Sequence, residues 1–97
     1  MDKFFLIAYN NTDSGFNPAV FHEHVKSLFT TNDIKAWWHY LPTIYIVKTS
    51  LTVSELYNKF FPGIPGKNLL IMEVNLKNSQ GWLPKPAWDW INTDGLT

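Results

Sequence analysis

Four apolar stretches of the chain have the length and composition of β-strands. Residues 4–9 end at a run of polar residues and predict a central strand that is covered on both faces. Residues 36–41 and 44–48 are rich in aromatic and β-branched side chains, and a two-residue Pro-Thr connection separates them, which predicts an antiparallel hairpin. Residues 69–76 predict a fourth, largely buried strand.

Two further segments carry the capping residues and the periodicity of helices. Asn17 followed by Pro18 is a typical helix start, and apolar side chains recur at intervals of three or four residues down to about Thr30. Thr52 and Glu55 form a capping box, which predicts a second helix. The apolar positions of that helix are spaced to share one face, and they are Val53, Leu56, Tyr57 and Phe60.

The resulting order, β-α-β-β-α-β, predicts an α+β, ferredoxin-like fold with a four-stranded antiparallel sheet and two helices on one face. Residues 1–97 have the length of a single domain. Residues 76–97 form a short Trp-rich tail, with Trp82, Trp88 and Trp90. Because large aromatic side chains favour burial, we expect this tail to dock on the sheet or on a dimer partner.

Composition excludes several classes of function. Eight lysines and no arginine balance eight acidic residues, so the net charge is zero and non-specific nucleic-acid binding is disfavoured. The absence of cysteine excludes disulfides, thiol nucleophiles and thiolate metal sites. No stretch approaches the ~20 apolar residues of a membrane span, so we expect a cytoplasmic protein that has no contact with a membrane.

The titratable residues form no obvious catalytic or metal-binding set. His22 and His24 lie two apart, so they lack the i, i+4 spacing of a helical zinc pair, and we expect both to face solvent. The acidic residues form no cluster that the sequence can locate as a carboxylate pair or a metal cage. The sequence therefore predicts no catalytic residue, no metal ligand and no cofactor.

The most unusual segment is Trp-Trp-His-Tyr at residues 37–40. In a strand, Trp37 and His39 share one face, while Trp38 and Tyr40 share the other. An exposed pair could stack on a base or another flat ring, with the imidazole supplying a hydrogen bond or a proton near neutral pH. The alternative is that these aromatic side chains pack in the core or in a dimer contact.

The run Trp-Trp-His-Tyr-Leu-Pro-Thr-Ile-Tyr-Ile-Val-Lys-Thr at 37–49, with Gly-Trp-Leu-Pro-Lys at 81–85 and Trp-Asp-Trp at 88–90, resembles the small bacterial and phage proteins of the SinR family. Those proteins in turn resemble the CRISPR-associated spacer-acquisition endonucleases and virulence-associated protein D. The resemblance covers most of the chain, and it implies a ferredoxin-like fold and a homodimer.

The resemblance also bears on catalysis. In the nuclease relatives the first strand ends in Tyr-Asp, and the Asp of each subunit helps to hold a divalent metal, whereas here the strand ends in Tyr9 and Asn10. A neutral amide lacks the charge that such a site needs. Our leading hypothesis is a non-catalytic homodimer that binds a nucleotide-like small molecule or a macromolecular partner in the dimer cleft. The predicted contacts are Asn10, Trp37, His39 and Lys48, with Lys48 meeting an anion.

Two alternatives remain open from the sequence. The first is a divalent-metal-dependent endonuclease acting on RNA or DNA, in which Asp13 and His39 replace the missing acid. The second is a purely structural subunit for protein interaction, in which the tryptophans serve packing only.

Overall fold

The computed structural model describes residues 2–10, 17–60 and 68–93. The elements follow one another as β1 (Lys3–Tyr9), α1 (Pro18–Thr30), β2 (Ala36–Leu41), β3 (Ile44–Thr49), α2 (Val53–Phe60), β4 (Leu69–Val74), a 3₁₀ turn (Leu76–Asn78) and α3 (Lys85–Thr93). The predicted α+β class with a four-stranded antiparallel sheet is confirmed. The predicted bounds of β1, α1, β2 and β3 agree with the structure to within one residue.

The strands are ordered β2-β3-β1-β4, and all neighbours are antiparallel. β1 and β2 therefore point in the same direction with β3 between them, and β3 and β4 point in the same direction with β1 between them. α1 and α2 are the connections between these parallel strands. As predicted, β1 is central, while β2 and β4 are the edges of the sheet.

α1 and α2 cover one face of the sheet, which we call the helix face. Alternate residues of β1 and β3 point to this face and pack against the apolar stripes of both helices. The buried residues there are Phe5, Ile7, Tyr9, Phe21, Val25, Leu28, Ile34, Tyr45, Val47, Leu56 and Phe60. Of the apolar side chains on α2, Leu56 and Phe60 are buried, while Val53 and Tyr57 are exposed.

α3 packs against the opposite face, which we call the α3 face. The buried residues there are Trp38, Ile46, Leu76, Ala87 and Ile91. The indole Nε1 of Trp38 donates a hydrogen bond to the Ala87 carbonyl at 3.2 Å, and the rings of Phe4 and Trp90 meet edge to face with centroids 6.2 Å apart. These contacts join the C-terminal helix to β1, β2 and β3.

Side chains cap both predicted helices as expected. Asn17 Oδ1 accepts hydrogen bonds from the N–H groups of Ala19 and Val20 at 3.0 and 3.3 Å. In the capping box, Glu55 Oε1 accepts from the Thr52 N–H at 2.9 Å, and Thr52 Oγ1 accepts from the Glu55 N–H at 3.1 Å. The bond from the Thr52 N–H holds the pKa of Glu55 below its ordinary value.

The prediction for β4 was wrong in two respects. The strand ends at Val74 because the Asn75 side chain accepts from the Lys77 N–H and starts the 3₁₀ turn. β4 is also less buried than expected, because it lies at an edge and only Val74 packs against the cluster under α3: Leu70 and Met72 are exposed on the α3 face. None of the helices within residues 2–10, 17–60 and 68–93 has the length and apolar composition of a membrane span.

We expect Trp38→Phe to lower the free energy of unfolding by about 1–3 kcal/mol, because it removes a buried hydrogen-bond donor and leaves space beside α3. Trp82→Phe is the matched control, since that side chain is 93% exposed, and its effect should stay within about 0.5 kcal/mol. Urea denaturation of the three proteins measures both values. Equal stability of the two variants would contradict the contact between α3 and the sheet.

Candidate functional site

Four ring side chains meet at the β2 edge of the helix face, and we call them the ring cluster: His22, Trp37, His39 and Tyr45. The His39 imidazole lies parallel to the Tyr45 ring, with centroids 3.9 Å apart and planes 2° apart. His22 meets Trp37 edge to face at 5.2 Å. Tyr45 is fully buried, whereas the other three are half-buried, so part of each of those rings meets solvent.

The register of the hairpin puts these side chains on one face. Trp37 pairs with Val47 and Trp38 with Ile46, but Leu41 pairs with Ile44. β2 therefore has one more residue than β3 between these pairs, as in a β-bulge. If the register set by the Leu41–Ile44 pair continued without interruption, Trp38 would pair with Val47 and lie on the helix face. The irregularity therefore sends Trp38 to the α3 face and turns Trp37 and His39 towards Tyr45.

Hydrogen bonds fix the orientation of both imidazoles. His39 Nδ1 lies 3.0 Å from the Ile44 carbonyl oxygen. Because a carbonyl only accepts, Nδ1 carries the hydrogen, and the lone pair of the neutral ring is at Nε2. The Tyr45 hydroxyl lies 2.6 Å from His22 Nδ1.

Burial raises the pKa of two tyrosines, Tyr45 in the ring cluster and Tyr9 next to it. Burial raises the pKa of Tyr45 well above its ordinary value of 10.0, and the neighbouring Tyr9 raises it further. Burial also raises the pKa of Tyr9, whose hydroxyl donates to the Pro42 carbonyl at 2.7 Å. At neutral pH the Tyr45 hydroxyl is therefore protonated and can donate its hydrogen to His22 Nδ1.

The structure brings together two of the four predicted contact residues. Trp37 and His39 both belong to the ring cluster. Lys48 lies on the other face, where it pairs with Phe4 and Ala36 and its Nζ is 5.9 Å from the Phe4 ring centroid. Within one chain, Lys48 and His39 therefore cannot contact the same ligand, because they lie on opposite faces of the sheet.

Asn10 lies at a third place, on the β4 side of the sheet. Its side chain is exposed, and its backbone N–H donates to the Asn68 carbonyl at 3.3 Å. The residue lines an open surface depression of about 350 Å³, together with Ala8, Tyr9, Asn68, Leu69 and Leu70. Trp37 and His39 do not line that depression.

The expectation that His22 and His24 face solvent was wrong, because both are half-buried and hydrogen-bonded. His22 bonds the Tyr45 hydroxyl, and His24 Nε2 bonds the Lys59 carbonyl, which ties α1 to α2. Sequence reasoning also missed Tyr45, the residue on which the cluster rests. The alternation along 44–49 places Tyr45 and Val47 on one face, but it does not show which strand residue stacks on Tyr45.

Comparison with known proteins gives no relative for this chain. No protein-family model matches it, and no curated protein or solved structure matches it either. The SinR-family resemblance and the fold and function it implies therefore remain hypotheses that rest on the residues quoted above.

The part of the chain that the structure describes contains no candidate metal-binding site. There, no three His, Cys, Asp or Glu side chains come together in a group that could hold a metal ion. Asp13, on which the endonuclease alternative depends, lies outside the described residues. What the ring cluster offers instead is a group of half-buried rings with an imidazole nitrogen beside them.

We expect the free energy of unfolding to fall as the pH rises above 10.0, the ordinary pKa of tyrosine. Above that pH the Tyr45 hydroxyl ionises in the unfolded chain but keeps its proton in the folded protein, so a rising pH increasingly stabilises the unfolded state. In Tyr45→Phe this contribution is absent, and the fall should be shallower. Urea denaturation between pH 7 and pH 11 measures both slopes; parallel slopes would contradict the burial of the hydroxyl.

Proposed function

We propose that this chain is a non-catalytic, homodimeric module of ferredoxin-like fold that binds a nucleotide-like small molecule. The observation that carries the proposal is the parallel stack of His39 on Tyr45 with Trp37 beside it on the same face. Such a surface suits a flat heteroaromatic ring, because every nucleic-acid base has a π-face that can stack on aromatic side chains.

The strand order supports the ferredoxin-like part of the proposal. In β2-β3-β1-β4, each helix connects two parallel strands that are split by an antiparallel neighbour, and the buried residues of α1 and α2 lie in one core on one face. This is the connectivity expected of two split βαβ units. α3, on the opposite face, is an addition to that arrangement.

The ligand we propose lies at the ring cluster of each protomer. Its base stacks on the accessible part of the rings, and a donor on its edge, such as an amino or imino N–H, bonds to Nε2 of His39. We place the ligand here and not in a cleft between subunits, because the two predicted contacts that meet in space, Trp37 and His39, meet within one chain.

The non-catalytic part of the proposal rests on the end of β1. There the exposed side chain is the neutral amide of Asn10, at the position where the resemblance to the spacer-acquisition endonucleases would place a carboxylate. An amide can donate and accept hydrogen bonds, but it supplies no charge to a hard cation. The module would therefore hold its ligand without cleaving it.

Binding of adenosine, guanosine, cytidine and uridine monophosphates, measured by isothermal titration calorimetry, tests the proposal. We expect at least one of them to bind, and Trp37→Ala to weaken that binding by about 5- to 150-fold, since loss of one stacking side chain costs ~1–3 kcal/mol. His39→Gln should weaken it too, because glutamine does not reproduce the stack on Tyr45.

Tyr40→Ala is the matched control, because Tyr40 lies on the same strand, is exposed, and contacts Trp38, which belongs to the α3 face. Its affinity should equal that of the unchanged protein. Circular dichroism checks that each variant is folded. Failure of all four nucleotides to bind at millimolar concentration, or equal affinity of Trp37→Ala and the unchanged protein, would overturn the assignment.

A further inference from the structure

Four large apolar side chains are exposed close to β4. On α2, Val53 is 45% and Tyr57 43% exposed, and on β4, Leu70 is 57% and Met72 47% exposed. The two residues of α2 lie on the helix face, and the two residues of β4 lie on the α3 face. The exposed apolar surface therefore extends over both faces at one edge of the sheet. Apolar residues grouped in this way indicate an interaction site, whereas single exposed ones do not.

Within Leu69–Val74, β4 also lacks the features that usually protect an edge strand. Its register with β1 is continuous over six residue pairs, from Phe4 opposite Val74 to Tyr9 opposite Leu69. It contains no lysine and no proline, and its one charged residue is Glu73. The other edge, β2, carries a register irregularity, and Pro42 follows it directly. Bulges, lysines and prolines are the features that normally prevent an edge from pairing with another strand.

A surface groove lies next to β4 on the helix face. A groove of about 400 Å³ runs between α2 and β4 and is lined by Val53, Ser54, Tyr57, Asn58 and Ile71. A strand that paired with β4 would point alternate side chains into this groove and the remainder over Leu70 and Met72. Such a strand must be extended and apolar on both faces.

We infer that this strand is β4 of a second copy of the chain. β4 itself meets the requirement at every position but one: Leu69 and Ile71 lie on the helix face, where Glu73 is the exception, and Leu70 and Met72 lie on the other. A two-fold axis beside β4 pairs the two strands antiparallel and joins two four-stranded sheets into one of eight. The same operation covers the exposed apolar residues of both faces at once.

Charge is compatible with this pairing. In an antiparallel pair related by a two-fold axis, the strands can be centred on any residue of β4. Centring on Ile71 or Met72 gives the longest overlap, and it places Glu73 opposite Leu69 or Ile71 of the partner copy, so the two carboxylates never face each other. The two copies of α2 then lie on the same face of the joined sheet.

This inference specifies the interface of the homodimer in the proposed function, and it rests on that part of the proposal alone. The ring cluster is at the β2 edge, at the far side of the sheet from β4. Each protomer therefore keeps a whole ligand site when the dimer dissociates. Nucleotide binding and dimerisation can be measured separately in the same variants.

Sedimentation equilibrium of the full chain tests the interface. We expect the unchanged protein to be a dimer at about 100 µM, and Met72→Lys to raise the dissociation constant at least about tenfold, because it places two ammonium groups in an apolar contact. Val53→Lys, on the other face of the same edge, should act in the same direction. Both positions are exposed in the single chain, so each variant should remain folded by circular dichroism.

Val20→Lys is the matched control, because Val20 is 53% exposed on α1, and it should leave the dimer unchanged. A monomeric unchanged protein would overturn the inference, and so would a dimer that survives both Met72→Lys and Val53→Lys. If Met72→Lys is monomeric and still binds the nucleotide with unchanged affinity, the interface and the separate ligand site are both supported. A dimer that binds none of the four nucleotides would leave the interface standing and sink the ligand assignment.

Discussion

The burial of Tyr45 is the constraint on which the rest of the structure depends. Its ring lies under His39 and within contact distance of Tyr9, Phe21 and His22, so β1, β2, β3 and α1 all meet at this one side chain. A buried hydroxyl is costly unless it is hydrogen-bonded, and His22 Nδ1 supplies the partner at 2.6 Å. The position of α1 over the sheet and the arrangement of the ring cluster therefore follow from the same requirement.

The two edges of the sheet have different chemistry, and this difference organises the proposed functions. The β2 edge carries half-buried rings whose polar atoms have defined hydrogen bonds, as at His39 Nδ1. The β4 edge carries exposed aliphatic side chains on both faces, such as Leu70 and Met72 on one of them. α3 separates the two by covering the middle of the α3 face through Trp38 and Ile46, so that face is left open mainly along β4.

Much of the fold could be predicted from the sequence because its determinants are local. Asn17, Thr52 and Glu55 cap helices through bonds that span at most three residues, and the apolar runs set the strands. The candidate site could be predicted only in part. Which of Trp37 and Trp38 faces Tyr45 depends on an irregular register near Leu41, and a shift of one residue exchanges the two faces of a strand. The exposure of β4 was missed because an apolar run has the same sequence at an edge as at the centre of a sheet.

Whether the stack on Tyr45 binds a ligand can be tested by correlating the histidine ring ¹H and ¹⁵N signals by NMR at pH 8, with and without each of the four nucleoside monophosphates. We expect His39 to carry its hydrogen at Nδ1, because that atom donates to the Ile44 carbonyl. A bound nucleotide should shift the His39 Nε2 signal and leave unchanged the signals of His24, whose Nε2 bonds the Lys59 carbonyl. If the His39 hydrogen is at Nε2, or if no nucleotide shifts the ring signals, the stack of His39 on Tyr45 is not the binding surface proposed here.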